Sequence, residues 1–225
     1  MAEKVALFDI DNALIRESRD VSSYYFEAIR SSYGLSIDDI DLSKYEGLTV
    51  QETLIDILTK NGLTRDEVYG RHELFLQELP YAHYNVAGHD NVVLIEGAKN
   101  LLGYLHRKGY VMGAASGQLE RILRNMFDRA HLNYDSYFRF GTYGDASEHF
   151  SKIIETSTDI AHGEYLAERH HIAFISNSKG HVITAHALGL NAIGVITDAH
   201  SKSELEKLGV GKIVRHLKDC ERILK

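Results

Sequence analysis

The sequence predicts an α/β fold, a parallel sheet core interrupted after its first strand by an all-helical insertion. Short apolar runs without alternation stand at the start of the chain and recur through its second half, where each follows a helical stretch ending in Gly or His. Runs of that kind mark strands buried on both faces, as in a parallel sheet. From about residue 13 to residue 90 the pattern changes to amphipathic helices with polar connections and no convincing strand.

The first strand is predicted over Lys4–Asp9. In the insertion, Thr49-x-x-Glu52 and Thr64-x-x-Glu67 each fit the capping box, in which hydroxyl and carboxylate satisfy otherwise unpaired helix N–H groups. After the first of these, Val50, Leu54, Ile55 and Leu58 fall at helical spacing until Asn61-Gly62 ends the helix. Pro80–Asn91, with the only proline of the chain and Gly88, predicts a linker returning to the sheet. Further strands follow at Val111–Ala115, Ile172–Ile175, Ala192–Ile196 and Lys212–Val214, with Gly109 and Gly189 as helix stops. The expected division is residues 1–13 and 91–225 for the α/β core and 14–90 for the helical unit.

Composition narrows the function classes. A chain of 225 residues with 44% hydrophobic and 25% charged residues buries a sizeable core, so disorder is not its dominant state. Lys and Arg number 25 against 32 Asp and Glu, a net charge of −7, without the basic excess that non-specific nucleic-acid binding requires. The single cysteine, Cys220, forms no internal disulfide and no cysteine-based zinc site, which suits a reducing compartment. The apolar start is too short for a signal peptide, and no segment approaches the roughly 20 apolar residues of a membrane span. A cytoplasmic location without membrane contact is expected.

Ligands of open α/β sheets bind at the carboxyl ends of the strands. This directs attention to Asp9–Asn12, Ser116-Gly117, Ser176–His181 and Thr197-Asp198. Asp9 and Asp11 leave the first strand one residue apart. Asp serves turns and helix caps, but two desolvated carboxylates without partners are costly, and a ligand or metal would justify them. The 13 histidines read mostly as solvated or capping residues: His170-His171 point to opposite faces on entering a strand, and His181 and His186 do not share a helix face. Tyr24, Tyr25 and Phe26 line either a substrate cavity or the core of an amphipathic helix.

Phe8-Asp9-Ile10-Asp11-Asn12-Ala13 resembles the first motif of the haloacid dehalogenase superfamily, an apolar strand followed by Asp-x-Asp-x-Thr/Val. Ala114-Ala115-Ser116-Gly117 resembles the second motif, and Lys152, heading a predicted helix over 152–161, the third. Ile172–Asn177 followed by Ser178–His181 resembles the fourth, and Ala192–Thr197 the strand after it. The resemblance spans nearly the whole chain. It implies a Rossmann-like core with a C1-type helical cap, as in phosphoglycolate phosphatase-like members, and hydrolysis of a small phosphorylated metabolite through an aspartyl-phosphate.

On this resemblance Asp9 is the nucleophile and Asp11 the general acid and base. Ser116 and Gly117 hold the transferring phosphoryl group, and Lys152 neutralises its charge. Mg²⁺ would be held by Asp9, Asp11 and, weakly, Asn177. An acid at Asp11 disfavours dehalogenation, while hydrolase and phosphomutase are not separated. Hinges for the cap are expected near Ala13–Ile15 and Pro80–Asn91.

The fourth motif departs from the family, which has Gly-Asp and a second Asp four residues later. Here stand Ser176-Asn177 and His181. Mg²⁺ prefers hard, charged oxygen ligands, so metal affinity should fall. Asp198 either supplies the lost charge or is a loop or capping residue, and Lys179 either contacts phosphate or lies at the surface. A milder departure is Ala13, where Thr or Val is usual. The rival to the enzyme is a catalytically impaired protein of the same fold that binds a phosphorylated ligand or a protein partner.

Overall fold

The computed structural model describes residues 4–17, 23–37, 40–86, 92–196 and 199–225. Its centre is a six-stranded sheet built from β1 (Val5–Phe8), β4 (Val111–Ala115), β5 (Phe138–Thr142), β6 (Ala173–Ser176), β7 (Asn191–Val195) and β8 (Ile213–Val214). Their order is β5-β4-β1-β6-β7-β8 and every pairing is parallel. β1 lies inside, with Val5 opposite Val111 on one side and Ala6 opposite Ala173 on the other.

The unalternating sequence of β1 follows from this position. Ala6 and Phe8 pack into one apolar core with α5 (Ala98–Arg107), α6 (Glu120–Arg129) and α10 (Cys220–Ile223). Val5 and Leu7 pack into a second core with α7 (Phe150–Tyr165), α8 (Lys179–Ala187) and α9 (Ala199–Lys207). A strand buried on both faces has no polar side to show.

After β1 the chain passes through β2 (Ile15–Glu17), then α1 (Ser23–Tyr33), α2 (Val50–Lys60), α3 (Arg65–Tyr69) and α4 (His72–Val86), and returns through β3 (Val92–Leu94). The buried face of these helices, including Leu54, Leu58, Phe75 and Leu79, is continuous with the core on the α5–α6 side of the sheet.

Three sequence expectations are corrected. β2 and β3 pair antiparallel, Ile15 opposite Leu94 and Glu17 opposite Val92, in a stretch expected to hold no strand; three residues are too short to show a period. β5 adds an edge strand beside β4, and Arg139 on its exposed side breaks the apolar run. Pro80 does not begin a linker but lies buried inside α4, which continues to Val86. Proline removes one helical hydrogen bond, yet packing of an apolar face outweighs local propensity. Residues 87–91, the rest of that expected linker, lie outside the described residues.

Candidate active site

The site forms where β1 ends. Asp9 continues the strand, its N–H bonded to Ile175 O at 3.0 Å. The chain then folds back on itself: the Ile10 carbonyl accepts from the N–H groups of Ala13, Leu14 and Ile15, and Asn12 N–H donates to Ile15 O at 2.8 Å. Asn12 takes φ +59°, the left-handed region that Asn enters more readily than most residues. This reversal brings Asp9, Asp11 and Asn12 to one cavity of about 320 Å³, with Gly117-Gln118 after β4, Asn177 to His181 after β6, and Glu46 to Leu48 from the helical insertion.

Asp9 is buried and its Oδ2 is an acceptor twice over. Ser176 Oγ donates to it at 2.7 Å, and His181 Nδ1 lies 2.7 Å away. The other ring nitrogen of His181, Nε2, is 2.8 Å from the carbonyl of Gly47. The ring lies flat against Phe150, centroids 3.4 Å apart and planes 3° from parallel. Burial alone would lower the His181 pKa, but the Asp9 carboxylate and the Gly47 carbonyl reverse this and hold it above the ordinary histidine value.

Asp11 is held differently. Burial, followed by the neighbouring carboxylates of Asp9 and Glu17, raises its pKa to about 7, opposed by a hydrogen bond from the Asn12 backbone. Glu17 in turn meets the buried His83 of α4 at 2.9 Å. A carboxyl that changes protonation state near neutrality at the mouth of a cavity is suited to move a proton.

The insertion is seated tightly. Val50 N–H donates to Gly117 O at 2.8 Å, Gln51 Nε2 to Asp145 O at 2.6 Å, and Thr49 Oγ1 to Glu148 O at 2.8 Å while it caps α2 by accepting from Glu52 N–H. Of the two predicted capping boxes, the reciprocal form is complete at Thr64 and Glu67. Gly117 permits this approach: a Cβ there would stand 2.7 Å from Leu48 O and 3.2 Å from Thr49 Cα. Arg65 and Tyr69 of α3 reach across to the Glu148 carboxylate.

Against the cavity runs a second chamber of about 310 Å³, lined from the insertion by Tyr24, Tyr25, Leu42, Ser43, Tyr45 and Thr53, and sharing Asp11, Asn12, Glu46 to Leu48, Gly117 and Gln118. Tyr24 and Tyr25 are therefore both core and lining. Burial raises both their pKa values above the tyrosine range.

The sequence-predicted residues separate here. Asp9, Asp11, Gly117 and Asn177 meet at the cavity. Ser116 is fully buried beneath it, its Oγ accepting Gln118 N–H at 3.3 Å. Lys152 lies apart from them: its side chain is 61% exposed, its ammonium pairs with Glu155 at 2.6 Å, and it is not part of the cavity wall. It sits in the first turn of α7, but the residue of that turn that reaches the site is Phe150. Lys179 lines the cavity and pairs with Glu204 at 2.5 Å. Thr197 and Asp198 lie outside the described residues. Glu46, Gly47 and Gln118 were not singled out from sequence; the Glu46-Gly47 turn just before the capping Thr49 is the signal that could have marked them.

A six-stranded parallel core with an acid pair closing an inner strand, beneath an inserted helical cap, is a capped Rossmann-like fold. The chain belongs to the family of haloacid dehalogenase-like hydrolases, whose model matches residues 6–195. No curated protein sequence matches it. Among solved structures it is similar to a predicted phosphoglycolate phosphatase from Haemophilus somnus 129PT, at 18% identity and TM-score 0.69 over 99% of this chain and 98% of that one. It is also similar to a predicted phosphatase from Clostridium acetobutylicum, at 16% identity and TM-score 0.65 over 100% and 99%. A third is CbbY from Rhodobacter sphaeroides in complex with phosphate, at 13% identity and TM-score 0.65 over 96% and 95%. Among the described residues, no helix is long and apolar enough to cross a membrane.

The family generally uses Mg²⁺, and the donor set here does not suit that ion. Mg²⁺ prefers hard oxygen ligands, carboxylates among them, in octahedral array. Asp9 Oδ2 is already engaged by two donors, and Asn177 brings an uncharged oxygen where the family has a carboxylate. No group of three or more His, Cys, Asp or Glu side chains among the described residues is arranged to hold a metal.

Proposed function

We propose that this protein is a phosphatase acting on the monoester of a small alcohol, with Asp9 as nucleophile and Asp11 as proton donor and acceptor. The observation that supports it is the unequal acid pair: one carboxylate held as an acceptor by Ser176 and His181, the other poised near pH 7. A carboxyl that changes protonation state near neutrality can give a proton to the leaving alcohol and take one back from water.

Asp9 Oδ1 attacks phosphorus, the bond from phosphorus to the alcohol oxygen breaks, and that oxygen takes the proton of Asp11. Water then gives a proton to the Asp11 carboxylate as its oxygen attacks phosphorus. The aspartyl–phosphate bond breaks, which releases inorganic phosphate and restores both acids. Gly117-Gln118 and the start of α8 border the cavity, and backbone amides in such positions are suited to a transferring phosphoryl group. The helical unit over residues 14–90 acts as the cap, and its tyrosine-lined chamber receives the alcohol. Among the described residues that chamber offers no Lys or Arg, which favours an uncharged alcohol over one carrying a second anionic group.

The test is hydrolysis of an aryl phosphate and a panel of polyol phosphates by the native protein and by Asp9→Asn. Turnover that the substitution lowers at least about 1,000-fold supports the reading. No turnover on any ester, with phosphate still bound, favours the impaired binding protein instead.

A further inference from the structure

We propose that the His181 side chain, as an imidazolium, stands in for the divalent cation of the family, so that Asp9 is charge-compensated without bound metal and the cavity excludes Mg²⁺. The inference rests on the phosphatase reading for the reaction it serves, but its geometry is independent of it.

Both ring nitrogens of His181 face oxygen: Nδ1 the Asp9 carboxylate at 2.7 Å and Nε2 the Gly47 carbonyl at 2.8 Å. A carbonyl only accepts, so Nε2 carries a hydrogen; a carboxylate that already accepts from Ser176 takes its second hydrogen from Nδ1. With both nitrogens donating, the ring is a cation. Phe150 covers one face of it, and an aromatic face favours a cation there. Gly47 has φ +84°, and a Cβ on it would stand 3.6 Å from Nε2, so this turn brings its carbonyl to the ring in a conformation other residues rarely adopt.

A metal on Asp9 would need the lone pairs of Oδ2 that Ser176 and His181 now use. It would also sit beside a fixed positive charge. Binding of the two cations is therefore mutually exclusive. His181 acts through Asp9 as a positioning residue: it neutralises one negative charge as the phosphoryl group approaches and leaves Oδ1 open for attack. Mg²⁺ would bring two charges, so a slower enzyme than a metal-loaded one is the expected consequence.

The experiment combines Mn²⁺ binding by electron paramagnetic resonance with aryl phosphate turnover in EDTA, on the native protein, His181→Asp and His181→Gln. The native protein should bind no Mn²⁺ at millimolar concentration and keep its turnover in EDTA. His181→Asp, which restores a hard oxygen ligand, should gain Mn²⁺ binding and become EDTA-sensitive. His181→Gln should lose about 100-fold in turnover without rescue by Mg²⁺. Mn²⁺ bound by the native protein, native turnover stopped by EDTA, or a folded His181→Asp without gained Mn²⁺ binding overturns the proposal. If no ester turns over, the phosphatase reading fails while the Mn²⁺ result still decides this one.

Discussion

Asp9 and Asp11, separated by a single residue, are treated oppositely by their surroundings. Asp9 Oδ2 takes hydrogen bonds from Ser176 and His181, whereas Asp11 has the Asn12 backbone for support and the carboxylates of Asp9, Glu17 and Glu46 against it. The strand ends between them: Ile10 turns inward to the core, and its neighbours emerge into different electrostatic environments.

The first prediction concerns pH. With the Asp11 pKa near 7, the proton for the leaving alcohol is lost above that pH. For alkyl phosphates, kcat/KM should fall about tenfold per pH unit on the alkaline side. Aryl esters, whose leaving groups need less protonation, should fall less steeply. Parallel pH–rate profiles for the two ester types would contradict the assignment of Asp11 as acid.

The same group destabilises the fold. The unfolded chain ionises this aspartate near pH 4, whereas the native protein keeps the proton to about pH 7. Between those values the unfolded state binds fewer protons, so stability falls as pH rises through the window and stays low above it. Asp11→Asn should therefore abolish turnover yet gain on the order of 2 kcal/mol at pH 7.5, or roughly 4–8 °C in Tm. At pH 4 the gain should vanish. Thermal melts at the two pH values measure it.

Gly117→Ala probes how the cap is seated. The added methyl group meets Leu48 O and Thr49 Cα, both backbone, so the cap segment must withdraw and the Val50–Gly117 hydrogen bond lengthens. KM for a polyol phosphate should rise at least about tenfold, while a good aryl ester loses less. Limited proteolysis should open the segment around residues 40–48. An unchanged KM and unchanged cleavage pattern would mean that this contact is not needed for closure.

Lys152→Ala separates the family pattern from this geometry. The ammonium lies in solvent beside Glu155, so the substitution should change kcat/KM by less than about twofold, the scale of a surface replacement. A loss of a hundredfold or more in steady-state kinetics would show that the side chain swings into the cavity during turnover.

The parallel core was legible in the sequence because burial on both faces leaves an unmistakable apolar run, as in Val5-Ala-Leu-Phe8 and Ala173-Phe-Ile175. Asp9 and Asp11 were legible because the first strand points at them. The β2–β3 ribbon was not, since three residues carry no period, and neither was the persistence of α4 through Pro80, where packing on α1 overrides the local rule. His181 was read as a solvated or capping histidine standing where the family has an acid. Its partners, Asp9 and Gly47, are 172 and 134 positions away, and local spacing holds no trace of such a meeting.

Because β1 pairs with β4 and β6, its nearest partner in the chain, Val111, lies more than a hundred positions beyond Val5. At a synthesis rate of about 5–20 residues per second, the innermost strand of the sheet waits roughly 5–20 s on the ribosome before either neighbour exists. During that interval Val5–Phe8 is an unpaired apolar edge, while the helices of the insertion, whose contacts are more local, are free to form. The cap should thus be the first part of the molecule to fold, and nascent chains halted before Val111 should be those most in need of a chaperone.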